Sequence, residues 1–321
     1  MSKSMKKPNV IQLVLSLRTE LAEGICEFQF ATQDGSVLPE FTPGSHIAVM
    51  TPGGMNRQYS LINDGTAPTF YQIAVKLEPD SRGGSRSLHD ELLVGSSVSV
   101  QSPENSFELV DSTNYLLIGG GIGITPIMAM ASACKTRNID FTLVYCARSA
   151  DAAAYADLIA SQFPEEAHIH FDEGDPAQLY DFWDHFMVPT SAHVYCCGPK
   201  PLMEEVKALS GHWPAEQIHF EDFNPQAGNE RVNHEFTVRL TATGAEYPVG
   251  ADQTILSTLR SHDIEVPSSC ESGTCGSCRM KLVSGEVEHR DFVLESGEYD
   301  KAIMICVSRG KESIEIDFED Y

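Results

Sequence analysis

Cys270-Glu271-Ser272-Gly273-Thr274-Cys275-Gly276-Ser277-Cys278 sets three cysteines in a C-x4-C-x2-C loop, and Cys306 follows 28 residues later in the apolar run Ile303–Val307. This is the spacing by which four thiolates hold a 2Fe-2S cluster. Soft sulfur ligands suit iron and sulfide, and Gly273 and Gly276 let the loop turn tightly enough for backbone N–H groups to point at the sulfurs. Structural zinc is the other use of four cysteines, but zinc ribbons normally pair two short Cys-x2-Cys knuckles, and a four-then-two loop with a distant fourth ligand does not. Around the loop, Phe236–Leu240, Met280–Val283, Ile303–Val307 and Ser313–Phe318 predict strands, with a short helix near Ile255–Ser261. The expected unit is a small C-terminal domain, residues 234–321, whose fourth ligand comes from a strand.

Immediately upstream, residues 224–233 carry Pro225, Ala227, Gly228 and Asn229, and 227–233 reads as a polar linker. Before it, the apolar runs Tyr115–Ile118, Phe141–Tyr145, Ala167–Phe171 and His193–Cys196 alternate with helical stretches near Pro126–Cys134, Ala152–Gln162 and Lys200–Leu209. That alternation predicts a parallel α/β sheet over residues 113–226. Within it Leu116-Leu117-Ile118 runs into Gly119-Gly120-Gly121-Ile122-Gly123-Ile124-Thr125-Pro126. A strand, a glycine turn and a helix opening at proline present unpaired N–H groups and the positive helix end to a pyrophosphate. Glycine clusters are also plain turns, and this one lacks the G-x-G-x-x-G order. A second turn, Cys196-Cys197-Gly198-Pro199, ends a later strand at the carboxyl edge of the same sheet, where ligands of open α/β sheets bind.

Residues 1–112 have a different rhythm. The runs Ile11–Leu17, His46–Met50, Tyr71–Leu77 and Ser97–Gln101, separated by turn residues, with one short helix near Ser87–Leu93, predict a closed antiparallel β-barrel. Arg57-Gln58-Tyr59-Ser60-Leu61 places a cation, an aromatic ring and a hydroxyl at a strand end, a set that suits a flat, hydrogen-bonding ring. Arg82-Gly83-Gly84-Ser85 precedes the helix and offers backbone donors, a hydroxyl and a guanidinium to a phosphate dianion.

With ~150 residues per domain as a guide, 321 residues make two or three domains, and the motifs require three. A net charge of −24 argues against nucleic-acid and anionic-membrane partners and suits a basic protein surface. Lys3, Lys6 and Lys7 are followed by Pro8, Asn9 and Gln12, so no leader-type apolar run forms, and no window reaches the ~20 apolar residues of a membrane span. Of nine cysteines, Cys26, Cys134, Cys146, Cys196 and Cys197 sit in apolar or strand-like surroundings rather than in a disulfide framework, which fits a reducing cytoplasm.

In this order the pieces resemble the ferredoxin-NADP reductase superfamily, with its R-x-Y-S flavin motif, glycine-rich nucleotide turn and C-G-P turn. The C-terminal cysteine loop, together with Val194-Tyr195-Cys196-Cys197-Gly198-Pro199, Gly211-His212-Trp213-Pro214 and Val266-Pro267-Ser268-Ser269-Cys270, is most similar to the phthalate dioxygenase reductase subfamily. The resemblance implies a flavin-binding β-barrel (1–112), a nucleotide-binding α/β domain (113–226) and a β-grasp 2Fe-2S domain (234–321). It implies that Arg57, Gln58, Tyr59 and Ser60 lie along the flavin ring, that Ala74, Val75 and Lys76 line it, and that Arg82, Gly83, Gly84 and Ser85 take the FMN phosphate. It further implies that Gly120, Gly121, Gly123 and Thr125 hold NADH, with Cys197, Gly198 and Pro199 by the nicotinamide and Phe223 near the flavin. Cys270, Cys275, Cys278 and Cys306 would then hold the cluster. The implied enzyme is an NADH-dependent oxidoreductase passing electrons through FMN and the cluster to a Rieske-type oxygenase for an aromatic acid of the phthalate, vanillate or phenoxybenzoate type. An FAD-type reductase serving another oxygenase is the alternative, and an iron–sulfur redox sensor a remote one. Arg148 and Ser149, after the second α/β strand, leave NADPH open at this point.

Overall fold

The computed structural model describes residues 9–78, 83–223, 233–268, 273, 276–294 and 297–318. The chain forms two compact units, Met1–His219 and Phe220–Tyr321.

The first unit begins with β1 (Val10–Ala22), β2 (Ile25–Ala31), β3 (Ser45–Met50), β4 (Asn56–Ser60), β5 (Phe70–Lys76), α1 (Gly84–Glu91), β6 (Ser97–Gln101) and β7 (Glu104–Asn105). Their order is β4-β3-β6-β1-β2-β5 with β7 on β3, all antiparallel. The two ends, β4 and β5, face one another, so the sheet curls into a barrel. Alternate residues of β2, namely Cys26, Phe28 and Phe30, fill its interior with Leu13, Leu15, Ile47 and Tyr71. The other face of β2 is also covered. Ile25 joins a second core with residues of the following sheet, and Glu27, 7 % exposed, accepts hydrogen bonds from Tyr155 (2.8 Å), Gln72 (2.7 Å) and Gln29 (3.0 Å).

That following sheet contains β8 (Asn114–Gly120), α2 (Ile124–Arg137), β9 (Asp140–Ala147), α3 (Ala156–Gln162), β10 (Ala167–Phe171), α4 (Trp183–Phe186), β11 (His193–Cys197), α5 (Lys200–Leu209) and β12 (Ile218–Glu221). Its order is β10-β9-β8-β11-β12, with β10, β9, β8 and β11 in parallel register. The order reverses between β8 and β11, which opens a crevice at their carboxyl ends. The sequence places a helix from Ala152; instead Ala150–Ala152 is a 3-10 turn and α3 starts at Ala156, after Tyr155 adopts φ 63°. A non-glycine residue in the left-handed region is strained, and here the cost is offset by the Tyr155 hydroxyl reaching Glu27 across the two sheets. Tyr195 makes a second tie: its hydroxyl donates to the Glu108 carbonyl and accepts from Val110 N–H, both at 2.8 Å.

The second unit holds β13 (Phe236–Leu240), β14 (Glu246–Val249), α6 (Ile255–Ser261), β15 (Arg279–Ser284), β16 (Val287–Glu288), β17 (Ala302–Met304), β18 (Arg309–Gly310) and β19 (Ser313–Asp317). The main sheet, β14-β13-β19-β15-β17, is mixed, with β13 and β19 parallel at its centre, while β16 and β18 pair separately. A capping box between Thr254 and Ser257 starts α6, whose Ile255, Leu256 and Leu259 enter the core in β-grasp fashion. Contrary to the expected strand at Ile303–Val307, β17 ends at Met304. Residues 305–307 form a turn in which Ser308 and Val307 N–H both bond the Met304 carbonyl, taking Cys306 out of the ladder. Among the described residues no helix is long and apolar enough to cross a membrane.

Tyr155→Phe removes a hydrogen bond to a buried carboxylate worth about 2 kcal/mol. The unfolding midpoint should fall by roughly 4–8 °C, and an unchanged midpoint by calorimetry would remove this contact from what holds the two sheets together. A pH effect follows from His219, which stacks on Tyr195 at 4.3 Å and meets His193 Nδ1 at 2.9 Å. Burial, aided by His193, pulls its imidazole from 6.5 down to about 4, so the folded state resists a proton that the unfolded chain accepts. The stability gained from holding it neutral is complete above about 6.5 and is lost as pH falls toward about 4. The midpoint difference between wild type and His219→Gln should therefore shrink across that window; a constant difference would contradict the assignment.

Candidate redox sites

At the crevice between β8 and β11 the two turns meet backbone to backbone. A Cβ on Gly123 would lie 2.3 Å from the Cys197 carbonyl oxygen, and one on Gly198 would lie 2.9 Å from Gly120 Cα. Gly121, at φ +53°, has open space where a side chain would be. Thr125 is buried, and its hydroxyl donates to the Ile122 carbonyl (3.1 Å), which fixes the turn rather than facing outward. The Cys197 side chain is wholly buried in the core, so backbone at 197–199, not thiol, forms the crevice wall beside Pro199. Bare backbone and a helix start are what an anionic dinucleotide needs, and the crevice fits one.

The barrel motifs also converge. Arg57, on β4, lies over the start of α1: a Cβ on Gly84 would be 2.9 Å from Arg57 Nε. Its other nitrogens donate to the Asn56 carbonyl (2.9 Å) and Met55 Sδ (3.1 Å). Gly83 precedes the helix at φ 99°, and α1 is tied to β5 by His89 Nε2, which donates to the Val75 carbonyl (2.9 Å). Ser85 Oγ accepts from Glu78 N–H (3.2 Å). Arg82 lies outside the described residues. Sequence reading assigned Arg57 to the ring and missed its reach to the phosphate turn, because the two segments are far apart in the chain and carry no shared periodicity. Tyr59 is partly buried, and burial drives its phenol well above its usual range, so it stays neutral; Ser60, Ala74 and Val75 are buried, whereas Gln58 and Lys76 are exposed. Phe223 belongs to the second unit and is 43 % exposed.

In the second unit, Cys278 and Cys306 are both buried, with their sulfurs 3.0 Å apart. That is well beyond a disulfide bond of about 2.05 Å. Cys270 and Cys275 lie outside the described residues. Gly273 and Gly276 adopt φ +80° and +77°, and a Cβ on Gly273 would strike Val307 Cγ2 at 2.7 Å, so this turn admits no side chain. A buried pair of unbridged soft ligands beside a glycine-only turn fits the cluster. The remaining cysteines are of another kind: burial pushes Cys134 up to about 11 and Cys146 up to about 12, and raises Cys196 as well.

Comparison with known proteins agrees with this arrangement. The 2Fe-2S iron-sulfur cluster binding domain family matches residues 238–311. The chain is 44 % identical to the phthalate 4,5-dioxygenase oxygenase reductase subunit of Pseudomonas putida, over 92 % of this chain and 93 % of that one. It is 41 % identical to phthalate dioxygenase reductase of Burkholderia cepacia, over 94 % and 95 %. A solved structure of phthalate dioxygenase reductase, described as a modular structure for electron transfer from pyridine nucleotides to [2Fe-2S], superposes with TM-score 0.79 at 40 % identity and covers 96 % of this chain and 98 % of that one. Matched from the first sheet to the cysteine loop at such identity, the chain belongs to the phthalate dioxygenase reductase family and is a 2Fe-2S electron-transfer oxidoreductase.

Proposed function

We propose that this reductase takes electrons from NADH, passes them through FMN held by the barrel (1–112) and bound beside the α/β domain (113–226), and delivers them through the cluster domain (234–321) to a Rieske-type oxygenase acting on an aromatic acid. The observation that carries this reading is that one compact unit contains both a bare-backbone crevice, at Gly120–Gly123 and Gly198, and a guanidinium over a helix start, Arg57 on Gly84. Bound flavin supplies the conversion from two-electron hydride to one-electron transfer that the cluster requires. The chain's own residues do the positioning. Gly120, Gly121 and Gly123 let the dinucleotide approach the backbone, Thr125 holds the turn, and Cys197, Gly198 and Pro199 wall the nicotinamide end. Arg57 lies at the phosphate turn of Gly83, Gly84 and Ser85, and Arg82, directly before that turn in sequence, is the second cation of the proposal. Two charges suit the dianionic monoester of FMN better than the diester of FAD. Gln58, Tyr59 and Ser60 with Ala74, Val75 and Lys76 flank the ring, Phe223 adds an aromatic face, and Cys270, Cys275, Cys278 and Cys306 ligate the cluster.

NADH is favoured over NADPH because Arg148 does not stand alone after β9. Its side chain lies alongside Gly174, about which Asp172, Glu173 and Asp175 form an acidic turn, and the Asp172 carboxylate accepts from Gly174 N–H at 2.7 Å. A 2′-phosphate would meet those carboxylates. The oxygenase partner is supported by the relatives' names, among them the phthalate 4,5-dioxygenase oxygenase reductase subunit. The −24 net charge suits a basic docking face.

Flavin extracted from the purified protein should be FMN, and Arg82→Ala should weaken its retention by about 2 kcal/mol, the scale of one charge-assisted hydrogen bond; FAD in the extract, or unchanged retention on dilution, would contradict the phosphate assignment. Cys275→Ser should keep NADH-dependent flavin reduction and ferricyanide activity while losing the cluster's visible absorbance and most transfer to cytochrome c. Full cytochrome c activity without a cluster would remove the cluster from the electron path.

A further inference from the structure

Asp291 is a carboxylate with no exposed side-chain surface, in the segment that braces the cysteine loop. Phe292 N–H donates to the Gly273 carbonyl at 2.9 Å, and a Cβ on Gly273 would lie 3.1 Å from Asp291 Cα. On its other side the carboxylate reaches the segment that leaves Cys306. Ser308, 1 % exposed, accepts from Arg290 N–H at 3.2 Å and donates to Asp291 Oδ1 at 3.3 Å. Asp291 Oδ2 accepts from Leu294 N–H (2.8 Å) and Val293 N–H (3.2 Å).

Every one of these donors is neutral. The basic group in ion-pair range is His289, whose Nδ1 stands 3.8 Å from Oδ1. His289 Nε2 donates to the Tyr299 carbonyl at 3.0 Å, and its Nδ1 makes no hydrogen bond. Arg290, next in sequence, is engaged with Glu288 and Asn233. The Asp291 carboxylate is thus buried and held by neutral hydrogen-bond donors between Gly273 of the loop and Ser308.

We infer that the Asp291 carboxylate sets the reduction potential of the 2Fe-2S centre, holding it low, with Ser308 tempering its charge. The step concerned is the arrival of one electron, in which no bond forms or breaks and one negative charge is added. A fixed negative charge nearby in a poorly screened interior opposes that addition, so Asp291 favours onward release of the electron to an acceptor. The inference rests on cluster binding by this domain.

The test is a potentiometric titration of the full-length protein, followed by the EPR signal of the reduced cluster, with iron content measured alongside. Asp291→Asn keeps the shape and removes the charge, and should move the cluster midpoint to a more positive potential with iron content retained. Ser308→Ala withdraws a donor from the carboxylate, leaves its charge less tempered, and should move the midpoint the opposite way. A flavin midpoint unchanged in both variants, read in the same titration, would locate the effect at the cluster. An Asp291→Asn midpoint equal to or below wild type overturns the inference. Should that variant fail to hold a cluster, Ser308→Ala decides: a midpoint equal to or above wild type, or loss of the cluster there too, would assign Asp291 to loop folding instead. A wild-type protein without iron would defeat cluster binding itself, a different failure.

Discussion

The contact on which the first unit depends is one where side chains are missing. Gly123 passes so close to the Cys197 carbonyl, and Gly198 to Gly120, that a single methyl group at either place would overlap backbone. This approach lets the turn after β8 nest against the turn after β11, where the order of the parallel sheet reverses. It also sets where α2 begins. Buried Ile127, Met130 and Ala131 on that helix then lie in one core with Ile25, Ile62 and Ala74 of the barrel, so the geometry of a glycine turn is transmitted to the seam between the two sheets.

Buried carboxylates and a buried guanidinium gather polar groups in both units. Glu27 gathers a phenol and two amides at the seam, and Asp291 gathers two N–H groups and a hydroxyl beside the cysteine loop. Arg309, 4 % exposed, does the converse, donating to the carbonyls of Gln253 (2.7 Å), His234 (2.9 Å) and Gly250 (3.0 Å) over the face of Phe236. Isolating an ion from water costs several kcal/mol unless its hydrogen bonds are met; Glu27 and Asp291 are met by neutral groups, and Arg309 by three carbonyls, with its Nε left without a partner. The result is a directional contact that a neutral apolar residue cannot give.

Features encoded locally were legible in the sequence. The cysteine spacing, the glycine turn entering Pro126 and the alternation from Tyr115 to Cys197 depend on neighbours within one or two turns of chain, and the structure has the corresponding strands and helices. What escaped depends on partners far away. Strand β2, Ile25–Ala31, alternates Cys26, Phe28 and Phe30 with Glu27 and Gln29, but nothing local says that its Glu27 face will be covered too, and Arg57 finds Gly84 only once the barrel curls. The late start of α3 needs Tyr155 to meet Glu27, 128 residues away, and the early end of β17 goes with Cys306 standing beside Cys278, 28 residues away. Periodicity reports faces; it is silent on which distant segment will cover them.

The cysteines outside the cluster set have a practical consequence for chemistry in solution. Cys26, Cys134, Cys196 and Cys197 are buried, and Cys146 is partly buried with its thiol pushed up to about 12. A maleimide at neutral pH requires an accessible thiolate, so these positions contribute little background. Cys278 and Cys306 are buried as well, so every described cysteine but the partly buried Cys146 lies out of a maleimide's reach in the folded chain. Tags at those described positions thus report opening of a core rather than surface thiol, without reference to colour or turnover.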